Sequence, residues 1–329
     1  MKAVLLDGFG GADRLRVGEA ETPAPGPGQV LLKVMATSVN RADLVQREGK
    51  YPPPPGASDI LGLEAAGVIE EVGSGVDGWS RGERVMSLLG GGGYAEYAVA
   101  DAAHLMRIPA AVSFEEAACI CEAYITAYLN IFMIGGLKDG EAVIIHGGGG
   151  GVNTAGIQLC RVLAPHAAVI VTASPGKVER VRQLGVHLVV NYHETPDFSE
   201  AVKGFTNGKG VQVILDHVGA GYLGPNMRSL GVEGRLVVIG VTGGTRAELD
   251  LAPMMVKRQQ IIGSVLRSRP AREKGEIVAE FSRTVLPRFA DRSIVPLIEK
   301  VFPLERIADA QRMMEESRHF GKIVVRIAD

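Results

Sequence analysis

Cysteine is scarce in this 329-residue chain: only Cys119, Cys121 and Cys160 occur, and none precedes residue 119. An odd number with C-x-C spacing suits neither a disulfide framework nor a usual zinc knuckle, so these read as reduced thiols packed in helices. A surplus of either charge is also missing, since 35 Lys and Arg against 37 Asp and Glu leave a formal net charge of −2. Such a surface offers no attraction to nucleic acid or acidic lipid, and does not favour cationic partners either. No apolar run approaches the roughly 18 residues that span a bilayer. The opening MKAVLLDGFG breaks at Asp7 without the long apolar segment and cleavage site of a signal peptide. The expected location is therefore cytoplasmic, with no membrane partner. Internal repeats and low-complexity tracts are absent as well.

What is present is the balance of a globular protein, 46% apolar and 22% charged, at a length that ordinarily divides into two domains. Up to about residue 110 the chain runs in short segments, QVLLKVMATSVN, EAAGVIEEV, ERVMSLL and YAEYAVAD, broken by glycine and proline. That is the texture of an irregular β-domain, with the proline-rich PAPGPGQ and YPPPPG on loops. Ser113 and Glu116 form an S-x-x-E capping box, which predicts the start of a long apolar helix through CEAYITAYLNIF. From residue 141 six apolar runs alternate with helical patterns: EAVIIH, AAVIVTA, LVVNY, VQVILDHV, RLVVIG and IIGSVLR. Strands apolar on both sides and spaced by helices predict a parallel sheet covered on both faces. The fold class expected is α/β, with a six-stranded doubly wound (Rossmann) domain. A final helix, LERIADAQRMMEES, and a strand, GKIVVRI, are expected to rejoin the first domain.

The stretch IIHGGGGGVNTAGIQLC, residues 144–160, fills the first strand-to-helix turn of that sheet. There a helix start offers unpaired N–H groups and the positive end of its dipole, and missing side chains let a pyrophosphate approach the backbone. A dinucleotide site is the reading. NAD sites usually carry an acid about 20 residues past the loop, on the ribose 2′-hydroxyl. Here the second strand ends TASPGK. Ser174 can donate to a 2′-phosphate and Lys177 adds positive charge, while Tyr192 follows the third strand, so NADPH is the expected cofactor. Lys177 has the alternative of a solvated first-turn lysine.

Several stretches together carry a resemblance: SVNRADLVQREGKYPPPPGASDILGLEAAGVIEEVG, GGGYAEYAV, HGGGGGVNTAGIQL, NYHETPDFSE, SVLRSR and the late GKIVV. Over essentially its whole length the chain resembles the zinc-free, zeta-crystallin-like quinone oxidoreductases of the medium-chain dehydrogenase/reductase superfamily. It is most similar to the tumour-suppressor-inducible quinone reductase branch. The resemblance implies a GroES-like catalytic domain over 1–122, a Rossmann NADPH-binding domain over 123–291 and a C-terminal segment, 292–329, returning to the first. It also implies a cleft between the domains, NADPH as hydride donor to a quinone, and a homodimer joined through Rossmann sheet edges. Independently of the family, zinc-dependent relatives require Cys and His ligands that this chain cannot supply: the corresponding places read Asn40 and Gly62-Leu63-Glu64, and no cysteine precedes residue 119. No metal is expected, and an acceptor needing no Lewis acid follows.

By the same resemblance Asn40 lies beside the nicotinamide and Tyr51 lines the substrate cleft. As chemistry, the amide can orient the nicotinamide or a quinone oxygen, and the phenol can donate to developing negative charge. The alternatives are a turn-forming Asn and a Tyr packed on prolines. Asp43 reads as a first-turn helix acid. Thr126, the backbone of Gly150, Gly151 and Val152, then Gly240, Thr242, Leu266 and Arg267, would face the cofactor. Asp216 is either a loop-orienting acid or a cofactor contact; His146 and His217 have no identifiable catalytic partner.

Two departures from the family stand out. Asn153 occupies the last position of the AxxGxxG turn, usually glycine, and His319 stands where relatives often have Asn. Because the Asn side chain needs room and five glycines must be ordered, weaker cofactor binding than in the family is expected. The leading function is an NADPH:quinone oxidoreductase. Rivals are a reductase of enone or alkenal double bonds, and a non-catalytic protein, transcript-binding or structural, that keeps the nucleotide site as a relic.

Overall fold

A run of β-branched and aliphatic residues, QVLLKVMATSV, buried on both faces except at Gln29, Lys33 and Met35, builds the longest strand of a β-rich unit. In the computed structural model, which describes residues 1–328, the strands before residue 110 are β1 (Lys2–Leu6), β2 (Leu15–Glu19), β3 (Gln29–Val39), β4 (Glu64–Val72), β5 (Arg84–Leu88), β6 (Tyr97–Asp101) and β7 (Leu105–Arg107). The doubly wound strands are β8 (Ala142–His146), β9 (Ala168–Ala173), β10 (Leu188–Asn191), β11 (Val211–Asp216), β12 (Leu230–Val238) and β13 (Gln260–Gly263). The last two are β14 (Ile298–Pro303) and β15 (Lys322–Arg326). The strands fall into two units, Met1–Ile125 with Leu266–Asp329, and Thr126–Val265.

In the first unit the sheet order is β14-β15-β3-β4-β5-β7, with β6 also on β3 and β1-β2 as a separate ribbon. The returning strand β15 pairs antiparallel with β3, Ile323 opposite Val39, so residues near the end of the chain lie beside residues 36–39. Val30, Leu32, Ile69, Val85 and Ala98 fill one face of the sheet; Val39, Leu44, Tyr94, Phe302 and Ile323 belong to a second core. Residues 266–291, expected with the nucleotide-binding domain, cluster instead with this unit. The helix Ala271–Thr284 packs there against residues 102–104, with Gly275 directly over Ala103.

In the second unit the order is β10-β9-β8-β11-β12-β13, every pair parallel. All five residues of β8 are buried, because helices cover both faces of a parallel sheet. Crossovers run outward from β8 through β9 to β10, then resume on its other side at β11. The strand order therefore reverses between β8 and β11, the place where such sheets bind ligands.

The helix predicted from Ser113 differs from expectation. The capping box forms, with Ser113 Oγ accepting from the Glu116 N–H and Glu116 Oε2 accepting from the Ser113 N–H. The helix then stops at Ala117, resumes over Cys121–Tyr128 and widens into a π-turn over Leu129–Ile134. The interruption frees the Glu122 N–H from intrahelical pairing, and it donates to the buried Glu64 carboxylate at 2.9 Å.

Candidate active site

In the second unit, the glycine run follows His146 at the carboxyl end of β8. Gly147 takes a left-handed φ of +71°, and a Cβ there would lie 2.6 Å from the His217 ring. A Cβ on Gly148 would lie 2.4 Å from Val171, so a bare backbone is required for the loop to lie against β9. Gly150 precedes the first turn of the helix Gly151–Leu163 in extended conformation. The amides of Gly151 and Val152 belong to that unpaired first turn, which is what a pyrophosphate cradle demands.

Asn153 behaves differently from the expectation of a side chain seeking room. It is buried, and its Nδ2 donates back to the His146 carbonyl, tying the helix start to the strand end. Its Oδ1 lies 2.5 Å from where a Gly150 Cβ would stand, so the amide occupies the space that glycine vacates. Close helix-to-strand packing falls instead to Gly156, whose missing Cβ would meet Ile131 at 2.9 Å and Ile145 at 3.2 Å.

Behind the loop runs a buried polar chain. His146 Nε2 pairs with Asn226 Oδ1 at 2.7 Å, its Nδ1 with Thr172 Oγ1 at 3.0 Å, and Asn226 Nδ2 donates to Asp216 Oδ2 at 3.2 Å. Burial lowers the His146 pKa to about 3, so it is a neutral spacer between two loops. Asp216 accepts from the Val218 and Gly219 amides at 2.7 and 3.1 Å, which makes it the acid that orients the loop after β11. Burial raises its pKa to about 6 despite those bonds.

Around the same carboxyl edge stand the other residues of this unit singled out from sequence. Ser174 and Lys177 flank the short turn after β9 and are half-buried. Tyr192, after β10, donates its amide to the Ala173 carbonyl and leans on the His193 ring at 4.8 Å. Gly240 and Thr242 follow β12, where Gly240 presses on His217 and Thr242 bonds the His217 carbonyl through both N–H and hydroxyl. Thr126 is half-buried, its carbonyl accepting from Asn130 Nδ2 at 2.7 Å.

In the first unit Asn40 precedes the helix Arg41–Arg47, and Asp43 Oδ2 accepts its N–H at 2.7 Å, as expected of a first-turn acid. Asp43 also accepts from the Tyr94 hydroxyl at 2.8 Å; burial, countered by these bonds, raises its pKa to about 6. The Asn40 amide is held on both sides. Its Oδ1 accepts from Lys322 Nζ at 2.6 Å and its Nδ2 donates to Glu64 Oε1 at 2.8 Å. Lys322 is also ion-paired with Glu64 at 3.0 Å, and the two side chains are 4% and 0% exposed. Ser38 Oγ donates to the same carboxylate at 2.5 Å. Sequence reading did not assign Glu64 or Lys322, although an acid in LGLEAAGV and a lysine opening KIVVR are each charges inside apolar runs.

Tyr51 and Arg267 come together, the guanidinium 4.9 Å above the phenol ring. Arg267 is buried and donates to Gln46 Oε1 and the Gly90 carbonyl, both at 2.7 Å, and to the Tyr51 carbonyl at 3.4 Å. Its charge is thus held by neutral oxygens. Burial raises the Tyr51 pKa, with Arg267 acting against that rise. Leu266 is buried beside it. Glu122 was also passed over; burial, then the nearby Glu64 charge, raise its pKa to about 8.

Zinc does not fit the Asn40 corner. Leu63 offers no donor, and an ammonium already lies on the Asn40 and Glu64 oxygens. Among the described residues no three His, Cys, Asp or Glu side chains gather as a metal site would need.

Residues 26–110 match the family described as alcohol dehydrogenase GroES-like domain, and residues 151–283 the one described as zinc-binding dehydrogenase. The chain is 33% identical to a synaptic vesicle membrane protein VAT-1 homolog of Rattus norvegicus, covering 99% of this chain and 84% of that protein. It is 31% identical to a quinone oxidoreductase of Lama guanicoe, covering 99% and 97%. A mycobacterial protein solved in complex with NADPH superposes with a TM-score of 0.88 at 27% identity, over 99% of this chain and 100% of that one. Among the described residues of this chain, no helix is long and apolar enough to cross a membrane.

Proposed function

Since the chain belongs to the medium-chain dehydrogenase/reductase superfamily, we propose that it is an NADPH-dependent quinone reductase that works without zinc. The observation that carries the reading is the carboxyl edge of the parallel sheet. There a glycine loop with no room for a Cβ at Gly147, Gly148 or Gly150 opens a helix at the strand reversal, and the next strand leads into Ser174 and Lys177 rather than an acid. The unpaired amides of Gly151 and Val152, over the bare Cα of Gly150 whose own N–H is turned to the Gly147 carbonyl, would hold the pyrophosphate, Ser174 and Lys177 the 2′-phosphate, with Tyr192 beside them. Thr126, Gly240, Thr242 and the Leu266–Arg267 backbone would line the remainder, since the Arg267 guanidinium is committed to Gln46 and Gly90.

Bound NADPH would supply the hydride. This chain's own residues must then place the acceptor and receive its negative charge. Lys322 fixes the Asn40 amide so that its second N–H remains for a carbonyl oxygen of the nicotinamide or the acceptor. Tyr51 donates a phenolic hydrogen bond, and Arg267 behind it supplies positive charge without a metal. A quinone suits that equipment because hydride addition leaves a phenolate, whose conjugate acid has a pKa of about 10.

A homodimer is part of the proposal. Among the described residues the edge strand β13 pairs only with β12 and carries Ile261 at 38% exposure, with Met255 and Val256 exposed on the preceding helix. An open apolar edge of this kind favours pairing with a second copy. We place the protein in the cytoplasm.

The test is NADPH oxidation with 9,10-phenanthrenequinone, alongside para-quinones and enones. Turnover preferring quinones and NADPH is expected. Faster turnover of enones would make it a double-bond reductase. Inertness with every acceptor would favour the non-catalytic alternative.

A further inference from the structure

We infer that Glu122 is the proton donor of the reduction, its carboxyl left without a hydrogen bond while its own amide is tied to the fully bonded Glu64 beside Asn40. The assignment rests on the reductase reading above.

The two glutamates share a corner of the first unit but not an environment. Glu64 accepts from Ser38, Asn40, Lys322 and the Glu122 amide. Among the described residues no hydrogen-bond donor reaches the Glu122 carboxyl; only its backbone N–H is engaged. Of two neighbouring carboxyl groups, the one without hydrogen-bond donors is the better placed to keep a proton. The charged and titratable groups around Glu122 are Glu64 on β4, Asp43 on the helix Arg41–Arg47, Lys322 on β15, Arg267, Lys274 on the helix Ala271–Thr284, Tyr51 on the proline loop and the adjoining Cys121 thiol. Glu64 and Asp43 oppose a second negative charge, whereas Lys322 and Arg267 favour it. Burial tips the balance toward the protonated form, with the pKa at about 8.

Access supports the role. Along the helix Cys121–Tyr128 every side chain is buried except Glu122 and Thr126, which are half-buried and one turn apart on one face. In the step itself, hydride from the reduced nicotinamide brings two electrons to one quinone oxygen and leaves negative charge on the other. The Glu122 O–H bond breaks as that oxygen takes the proton, giving hydroquinone and a Glu122 carboxylate. Water then returns the proton to the half-buried carboxylate.

The test compares wild type with Glu122→Gln and Glu122→Asp. Wild-type kcat with 9,10-phenanthrenequinone should fall as pH rises through about 8. Glu122→Gln should lose roughly 10²-fold in kcat, as expected for a missing general acid, and lose that pH limb, while NADPH affinity holds. Glu122→Asp should restore a limb. Independently of turnover, difference infrared spectra near neutral pH should show a protonated-carboxyl stretch in wild type that Glu122→Gln removes. An unchanged pH profile in Glu122→Gln, or the absence of that stretch, overturns the assignment alone. A wild type inert with every acceptor overturns the reductase reading, and the assignment falls with it.

Discussion

Lys322 Nζ lies 2.6 Å from Asn40 Oδ1, joining residues 282 apart in sequence. The ammonium bridges that amide and the Glu64 carboxylate inside a core where neither charge meets water. Lys322 therefore decides which way the Asn40 amide faces, and with it what the amide can offer a ligand.

Removing that ammonium has a calculable cost. Lys322→Met leaves Glu64 buried without its counter-charge, a loss of roughly 3–5 kcal/mol, to be read from the denaturant midpoint. The double variant Lys322→Met with Glu64→Gln should recover most of it, since no unpaired charge then remains. A single variant as stable as wild type would mean that the pair is not buried as described.

Stability should also depend on pH through Glu122. Its pKa lies near 8 in the folded state and at 4.5 in its ordinary state, so between these values the folded chain holds a proton that the unfolded chain has released. Stability contributed by this group is complete below about 4.5 and is lost as pH rises through about 8. Glu122→Gln removes the titration. Its melting temperature should gain on wild type at alkaline pH and show no such gain near pH 4.5. A difference between the two that stays constant across that range would contradict the raised pKa.

Cofactor preference can be inverted at the end of β9. An aspartate at 174 would repel a 2′-phosphate and accept the 2′-hydroxyl of NADH. Ser174→Asp should lower NADPH affinity roughly 10–100-fold, the scale of a hydrogen bond to a charged group, and raise that for NADH. Fluorescence titration with both nucleotides checks it; an unmoved ratio would mean that the 2′-phosphate is read elsewhere.

The alternating sheet was legible because it is written locally: six apolar runs, each flanked by helical periods, became β8 to β13 in order. The capping box at Ser113 was legible for the same reason. The break at Ala118 was not, because the acceptor that draws the Glu122 amide out of the helix is Glu64, 58 residues away. Likewise Asn40 was visible as a polar residue before a helix, but the groups that orient it come from β4 and β15, and strand pairing across 282 residues leaves no local trace. The grouping of residues 266–291 with the first unit depends on packing against residues 102–104, which sequence periodicity does not report. The usable clue was compositional, namely Glu64, Glu122 and Lys322, single charges in otherwise apolar stretches.

Asn153 gives the sharpest contrast between pattern and structure. From the family pattern, restoring glycine at this position should tighten NADPH binding. The structure argues the reverse, because the Asn153 amide donates to the His146 carbonyl and fills the space over Gly150. Asn153→Gly loses that bond, worth about 1 kcal/mol, and adds backbone freedom in the first helical turn worth roughly 0.5–1 kcal/mol. The loop would then have to be ordered by the ligand itself, so affinity should fall. Expected outcomes are a melting temperature lower by a few degrees and a weaker NADPH Kd by calorimetry. Tighter binding would show that Asn153 obstructs the pyrophosphate, and that its bond to His146 is not what holds the glycine loop in shape.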